Sequence, residues 1–143
     1  MSNWTHVCGM VRFDDLGGIV GKDCFTDKNL EDVFGRIKLW EDFGKDDEDK
    51  DVSHCPMGSE GSLEYTLYRD KKAIENSCIC NTYLMIHGDL RDYDTPEDVI
   101  EWFKKAVKKC KKKNLFVRDA VISAYDEWGR KPYTWCKQED ECE

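Results

Sequence analysis

The sequence lacks the features that direct a protein into or across a membrane. None of its 143 residues belongs to an apolar run approaching the roughly 20 residues that a membrane-spanning helix needs. The first ten residues, MSNWTHVCGM, have neither the basic start nor the apolar stretch of a secretory signal. We therefore expect a cytoplasmic protein that has no membrane partner.

Paired cysteine motifs are also missing. The chain has eight cysteines, but they are scattered and none forms a CxxC pair, whereas zinc fingers and ribbons need two pairs of close ligands. A reducing cytoplasm keeps thiols free, so we expect free cysteines, no cofactor and no metal. The alternative is a zinc site assembled from Cys55, Cys78 and a histidine such as His54.

Histidine is scarce, which limits the catalytic chemistry that the chain can carry. It has three histidines, whereas a metal-dependent hydrolase needs a denser cluster of histidines and carboxylates. His87 with Asp89 or Asp92 suits proton transfer, but a nucleophile must complete such a site. The nearby candidates, none in a known nucleophile motif, are Ser59, Ser62 and Cys80. The sequence therefore predicts a protein that is not an enzyme.

Charge, by contrast, is abundant and mostly negative. The chain is 36% charged and 12% aromatic, a composition typical of a folded globular domain. Tyr83 and Tyr125 are suited to stacking on bases, and seven lysines face three acids within 97–113. However, a net charge of −8 and a pI of about 5.0 repel nucleic acid at long range. We expect no direct nucleic-acid partner.

The densest acidic run, EDFGKDDEDKD at 41–51, has seven acids against two lysines. Such a run suits docking on a basic protein surface, because complementary charge speeds the encounter. Proteins that handle nucleic acids offer basic surfaces of this kind. The acids expected to contact the target are Asp46, Asp47, Glu48 and Asp49. Aromatic anchors are the usual centres of protein interfaces, and the candidates here are Trp4, Trp40, Trp128, Tyr133 and Trp135.

The hydrophobic pattern predicts an α+β fold. β-Branched and aromatic residues, partly in alternation, predict strands at 4–13, 62–69, 79–88 and 115–125, with an edge piece at 131–135. Apolar residues three and four apart predict helices at 29–43, capped by Thr26 or Asp27, and at 96–113. Polar turns are predicted at 14–18 and 70–77.

This βαββαβ order is that of the ferredoxin-like fold, an antiparallel sheet with both helices on one face. The first and third strands then lie side by side at the centre of the sheet. We expect a single domain over 1–136, including an acidic loop at 44–54, and an acidic flexible tail at 137–143.

The stretch HGDLRDYDTPED at 87–98 combines a helix start with a charged loop. Thr95 is expected to cap a helix that begins at Pro96, where early acids oppose the helix dipole. The remaining polar residues, expected in a loop that ends a central strand, are His87, Asp89, Arg91 and Asp92. They are predicted to lock the loop through charge pairs, or otherwise to form a recognition patch.

A glycine loop, GSEG at 58–61, presents Ser59 and Glu60. A tight loop before a hairpin is the first interpretation, and an anion-binding nest is the second. If the GSEG and HGDLRD loops met, they would form a pocket for a nucleotide or another small anion, with Arg91 as the charged donor.

Three segments, WTHVCGMVRFD at 4–14, GSEGSLEY at 58–65 and HGDLRDYD at 87–94, resemble segments of small uncharacterised proteins of phages and mobile elements. The resemblance implies an inhibitor acting in the host cytoplasm, either an anti-CRISPR or other anti-defence protein, or an immunity protein that neutralises a toxin. The expected partner is then a protein with a basic surface, such as a CRISPR effector. The resemblance implies no catalytic residues.

Overall fold

The computed structural model describes residues 1–38 and 53–137. Five strands form one antiparallel sheet in the order β2-β3-β1-β4-β5. The strands are β1 (Trp4–Asp15), β2 (Glu64–Tyr68), β3 (Cys80–Arg91), β4 (Phe116–Asp126) and β5 (Tyr133–Cys136). The helices are α1 (Gly17–Val20), α2 (Asp27–Phe34), α3 (Lys71–Glu75) and α4 (Pro96–Lys109), which continues as a 3-10 turn over Cys110–Lys113.

The α+β class and the antiparallel sheet are confirmed. So are the hairpin of β2 with β3 and the central pairing of β1 with β3. The four-stranded ferredoxin-like arrangement is not confirmed, because the sheet has a fifth strand and its order therefore differs. The predicted edge piece at 131–135 is that fifth strand, β5, paired with β4.

One face of the sheet forms the core. Along β1 the inward residues alternate with outward ones, as the two-residue period of a strand requires, and β3 and β4 follow the same rule. The inward side chains of these strands include Val7, Val11, Phe13, Leu84, Ile86, Leu90, Ala120, Ile122 and Ala124. The apolar stripe of α4 covers them, with Val99, Phe103 and Val107 buried, and α2 packs beside α4.

The first long helix is shorter than predicted. It begins as expected, with the Thr26 hydroxyl accepting the Asn29 amide, but it ends at Phe34 instead of continuing to residue 43. Gly35 turns the chain at φ +93°, and a Cβ there would lie 2.7 Å from the His54 carbonyl carbon. The helix ends here because the next residue, Arg36, pairs with His54 in a parallel bridge. Gly35 provides the positive φ and the close backbone approach that this turn needs.

Three smaller expectations need correction. The predicted turn at 14–18 is split between the end of β1 and the start of α1. The predicted polar turn at 70–77 contains α3, because the Asp70 side chain caps it by accepting the Ala73 amide. Thr95 precedes α4, but its hydroxyl makes no capping bond; Pro96 and the early acids are the helix-start signals that hold.

The acidic run that includes Asp46, Asp47, Glu48 and Asp49 lies outside the described residues, as do Trp40 and nearly all of the predicted tail. Within 1–38 and 53–137, no helix is long and apolar enough to span a membrane.

Candidate functional site

The sheet has a second face that none of the described helices covers. We call it the open face and define it by the outward side chains of the strands. On the central strands these include His6, Cys8, Met10, Arg12 and Asp14 of β1, Tyr83, Met85, His87 and Asp89 of β3, and Asp119, Val121, Ser123 and Tyr125 of β4. A face of this kind presents a wide surface to a partner.

An apolar row crosses the middle of the open face. The strand registers place Thr66, Met85, Met10, Val121 and Cys136 side by side across all five strands. Met85 and Val121 are 39% and 41% exposed. Tyr68 and Tyr125, both exposed, extend this apolar surface toward two borders of the face.

The next row carries the nearest approach to catalytic chemistry. Cys8 lies opposite His87, and His87 lies opposite Glu64 on β2. An activated thiol needs a base within hydrogen-bonding reach, and among the described residues Cys8 and His87 are related only by strand register. Both side chains are exposed and contribute a polar strip beside the apolar row.

A histidine that the sequence did not single out forms the polar end of the open face. The His6 Nδ1 atom lies 2.5 Å from Asp89 on β3, and its Nε2 atom lies 2.7 Å from Glu127, just after β4. The hydrogen bond with Asp89 raises the pKa of His6, partial burial opposes the shift, and Glu127 adds to it. His6 thereby joins three segments of the sheet when it is protonated.

This arrangement makes stability depend on pH. Because the pKa of His6 is raised in the folded protein above its usual 6.5, the protonated form stabilises the fold. The stabilisation is complete below that unfolded value and is lost as pH rises through the folded pKa. We expect urea unfolding from pH 5.5 to 9 to show this loss in the wild type and not in His6→Gln, with His87→Gln as the control. Parallel pH profiles of wild type and His6→Gln would contradict it.

The structure brings the two predicted recognition loops together. The Ser59 amide donates to the Arg91 carbonyl at 2.9 Å, and the Arg91 amide donates to the Glu60 carbonyl at 3.0 Å. The Ser59 hydroxyl lies 2.7 Å from the Asp92 carboxylate. HGDLRD itself is not a loop, because β3 continues to Arg91 and pairs with β1 to its end. Asp89 therefore contacts His6. It does not take part in the contact between Ser59 and Asp92.

Arg91 is already engaged by acids of this chain. Its guanidinium lies 2.9 Å from Glu60 and 3.9 Å from Asp92, and its Nε donates to the Ser2 hydroxyl at 3.0 Å. A recess of about 250 Å³ has His87 and Asp89 in its lining, and Arg91 is not part of that lining. A guanidinium between two carboxylates attracts an added anion weakly, which counts against the anion pocket.

A charged network that was not predicted from the sequence lies at the opposite end of the sheet, on its core side. Asp15 is fully buried, and its carboxylate accepts bonds from Arg69 at 2.9 and 3.1 Å, from the Thr82 hydroxyl at 2.6 Å and from the Gly17 amide at 3.0 Å. Arg69 also reaches Asp23 at 2.8 Å. The sequence held one signal for this network: Asp15 is two residues after Phe13 in β1, so the two-residue period of a strand places it on the buried side.

This network supports the wall of an apolar cavity of about 240 Å³, which we call the α1 cavity. Its apolar lining is Leu16, Val20, Cys24, Phe25 and Phe116. The Arg69 guanidinium lies 5.1 Å above the Phe25 ring, whose edge packs on Phe13. The segment from Asp15 to Phe25 is thus tied to the sheet through Arg69.

The aromatic anchors predicted from the sequence divide into two groups. Trp128 is 64% exposed, so it is available for contact. Trp135 packs edge-on against Phe103, and Trp4 and Tyr133 are half-buried. Most of these aromatic rings therefore stabilise the fold.

The alternative zinc site is not formed. No group of three potential metal ligands comes together within the described ranges. Cys55 is buried, its thiol donates to the Phe34 carbonyl at 3.2 Å, and burial raises its pKa to about 12. Cys55 is thus held in the core, whereas Cys78 is exposed.

Seven of the cysteines are free in the described part of the chain.

Comparison with protein-family models, with curated proteins and with solved structures finds no match in any of the three. The function of the chain therefore has to be inferred from its own surface.

Proposed function

We propose that the protein is a non-enzymatic binding protein that docks on a basic surface of a target protein. The target we propose is a nucleic-acid-handling defence protein such as a CRISPR effector, which the binding inhibits. The observation that supports the proposal is the open face, where an apolar row crosses five strands between polar ends. The acids Asp46, Asp47, Glu48 and Asp49 are proposed to add electrostatic contacts.

The dimensions of the open face suit a protein interface. Its three central strands have 11 or 12 residues, about 35–40 Å, and five strands spaced by about 4.8 Å span about 20 Å. The face therefore covers roughly 700 Å², close to the roughly 800 Å² that each partner contributes to a standard interface.

The charge of the molecule favours a basic target. With a net charge of −8, the protein attracts cationic surfaces, and complementary charge raises association rates. Nucleic-acid channels in effector proteins are cationic because they hold phosphates. An acidic protein seated on such a surface excludes the nucleic acid.

We also infer that β1 to β4, with α2 and α4, form a ferredoxin-like unit to which β5 is added. The strand order β2-β3-β1-β4, with α2 between β1 and β2 and α4 between β3 and β4, supports this. The extra strand widens the open face on the β4 side.

The test is to mix the purified protein with CRISPR effectors, with and without guide RNA, and to measure binding at low and high salt. We expect a salt-sensitive complex that the combined change Asp46→Asn, Asp47→Asn, Glu48→Gln and Asp49→Asn weakens about tenfold. Replacing Met85 and Val121 by serine is expected to weaken it as well.

The matched control is Glu97→Gln with Glu101→Gln, which removes acidic charge from exposed residues on α4, away from the open face. No complex with any effector, or a complex that neither the acidic nor the open-face changes affect, would rule the proposal out. A toxin gene beside the coding sequence would favour the immunity-protein alternative. The anion alternative predicts a raised melting temperature with nucleotides, and the ion pairs of Arg91 disfavour it.

A further inference from the structure

We propose that the α1 cavity receives one aromatic side chain of the partner protein. This inference rests on the proposed function and names a contact that the partner makes.

The volume of the cavity suits a single side chain of a partner. Its volume of about 240 Å³ falls below the roughly 300–1,000 Å³ typical of sites for cofactors and drug-sized ligands. One phenyl, phenol or indole group is the scale of molecule that such a space holds. Phe25 and Phe116 in its lining offer the edge and face contacts that aromatic rings prefer.

The charged groups of the lining select an uncharged occupant. The Asp15 carboxylate is saturated by Arg69, Thr82 and the Gly17 amide. Asp14 lies 3.5 Å from the Arg118 guanidinium. Lys22, the third charged residue of the lining, is exposed to solvent. Because both lining carboxylates already have partners and the lysine is hydrated, burying a charged group in the cavity would be costly.

The rim distinguishes a protein side chain from a free small molecule. Val20 and Phe116 line the cavity and are each at least half exposed, as is Ile19, which precedes Val20 in α1. A small molecule inside the cavity would leave these apolar groups in water, whereas a docked protein covers them while its anchor fills the cavity. Interface hot spots have this construction, an anchor in a pocket surrounded by contacts that exclude water.

The cavity is continuous with the open face. Phe116 pairs with Asp14 at the end of β1, and both lie on the outward side of the sheet. A partner bound to the open face can therefore contact the rim of the α1 cavity through the same continuous interface. The Arg69 contacts hold the cavity wall in place before binding, which lowers the ordering cost of the complex.

Cys24 lines the cavity and provides a test that needs no partner. Small disulfides carrying either a phenylethyl or a hydroxyethyl group are incubated with the full chain; exchange with the Cys24 thiol forms a mixed disulfide and releases one thiol. Peptide mass mapping then compares Cys24 with the exposed Cys78. We expect a preference of about tenfold for the phenylethyl group at Cys24 and none at Cys78. Equal labelling by both disulfides at Cys24 would overturn the proposal.

The second measurement uses the complex that the proposed function predicts. We expect the phenylethyl adduct on Cys24, which fills the cavity, and the rim variant Val20→Ser each to weaken the complex at least about tenfold. Unchanged affinity of both would show that the cavity takes free aromatic molecules and not a partner side chain. A preference at Cys24 without any protein complex would refute the partner assignment together with the proposed function, while the aromatic selectivity of the cavity would stand.

Discussion

Replacing Arg69 by methionine is expected to lower the free energy of unfolding by about 4 kcal/mol. Arg69 is 19% exposed and Asp15 is fully buried, so the substitution leaves a buried carboxylate without its counter-charge. Thr82 and the Gly17 amide still donate to it, but neither carries charge. Urea unfolding followed by circular dichroism measures the loss.

The matched control for this prediction is Arg118→Met, which removes an exposed ion pair with Asp14. Exposed pairs contribute about 0–1 kcal/mol, so the control should stay near the wild type. Adding Asp15→Asn to Arg69→Met should recover part of the stability, because the buried charge is then absent. If Arg69→Met costs no more than Arg118→Met, the buried pair does not hold this end of the sheet.

Replacing Gly61 by alanine is expected to cost about 3 kcal/mol, the sum of backbone strain and lost hydrogen bonds. Gly61 has φ +82°, and a Cβ there would lie 2.1 Å from the Asp89 carbonyl oxygen. The Asp89 carbonyl group and the Leu90 Cα atom, which also lies within 4 Å, are backbone of β3 and cannot move aside. The GSEG loop must therefore separate from β3, which breaks the bonds of Ser59 and Glu60 to Arg91.

Gly21→Ala is the matched control, since Gly21 also has a positive φ, +74°, but nothing lies within 4 Å of its Cβ position. It should cost only the strain, about 1 kcal/mol. Amide hydrogen exchange at Arg91, whose N–H donates to the Glu60 carbonyl, should accelerate in Gly61→Ala and not in Gly21→Ala. Equal costs for the two variants would mean that the loop is not locked against β3.

Much of the secondary structure could be predicted because its signals are local. The alternation in β2, the three-and-four spacing of α4 and the Thr26 cap depend on residues near each other in the chain. The end of α2 could not be predicted, because it depends on Gly35 meeting His54, nineteen positions along the chain. Likewise, β3 continues through the charged residues of HGDLRD because β1 pairs with it throughout.

The candidate site shows the same division. The residue types at 58–61 and 87–92 indicated that both segments are polar, and the structure joins Ser59, Glu60, Arg91 and Asp92. The sequence did not show that 87–91 belongs to strand β3. The clamp of His6 between Asp89 and Glu127 was beyond prediction, since its members lie 83 and 121 positions apart in sequence. Only strand pairing brings such residues together.

By itself the sequence determined the α+β class, most strand positions, the amphipathic α4 and an acidic molecule, because propensity, periodicity and net charge are properties of neighbouring residues or of composition. Tertiary structure alone decided the fifth strand's place in the sheet, the apolar row across the open face, the Asp15–Arg69 pair and the α1 cavity. Each of these is formed by segments distant in the chain, and their contacts exist only after the strand registers and the packing of the helices are set.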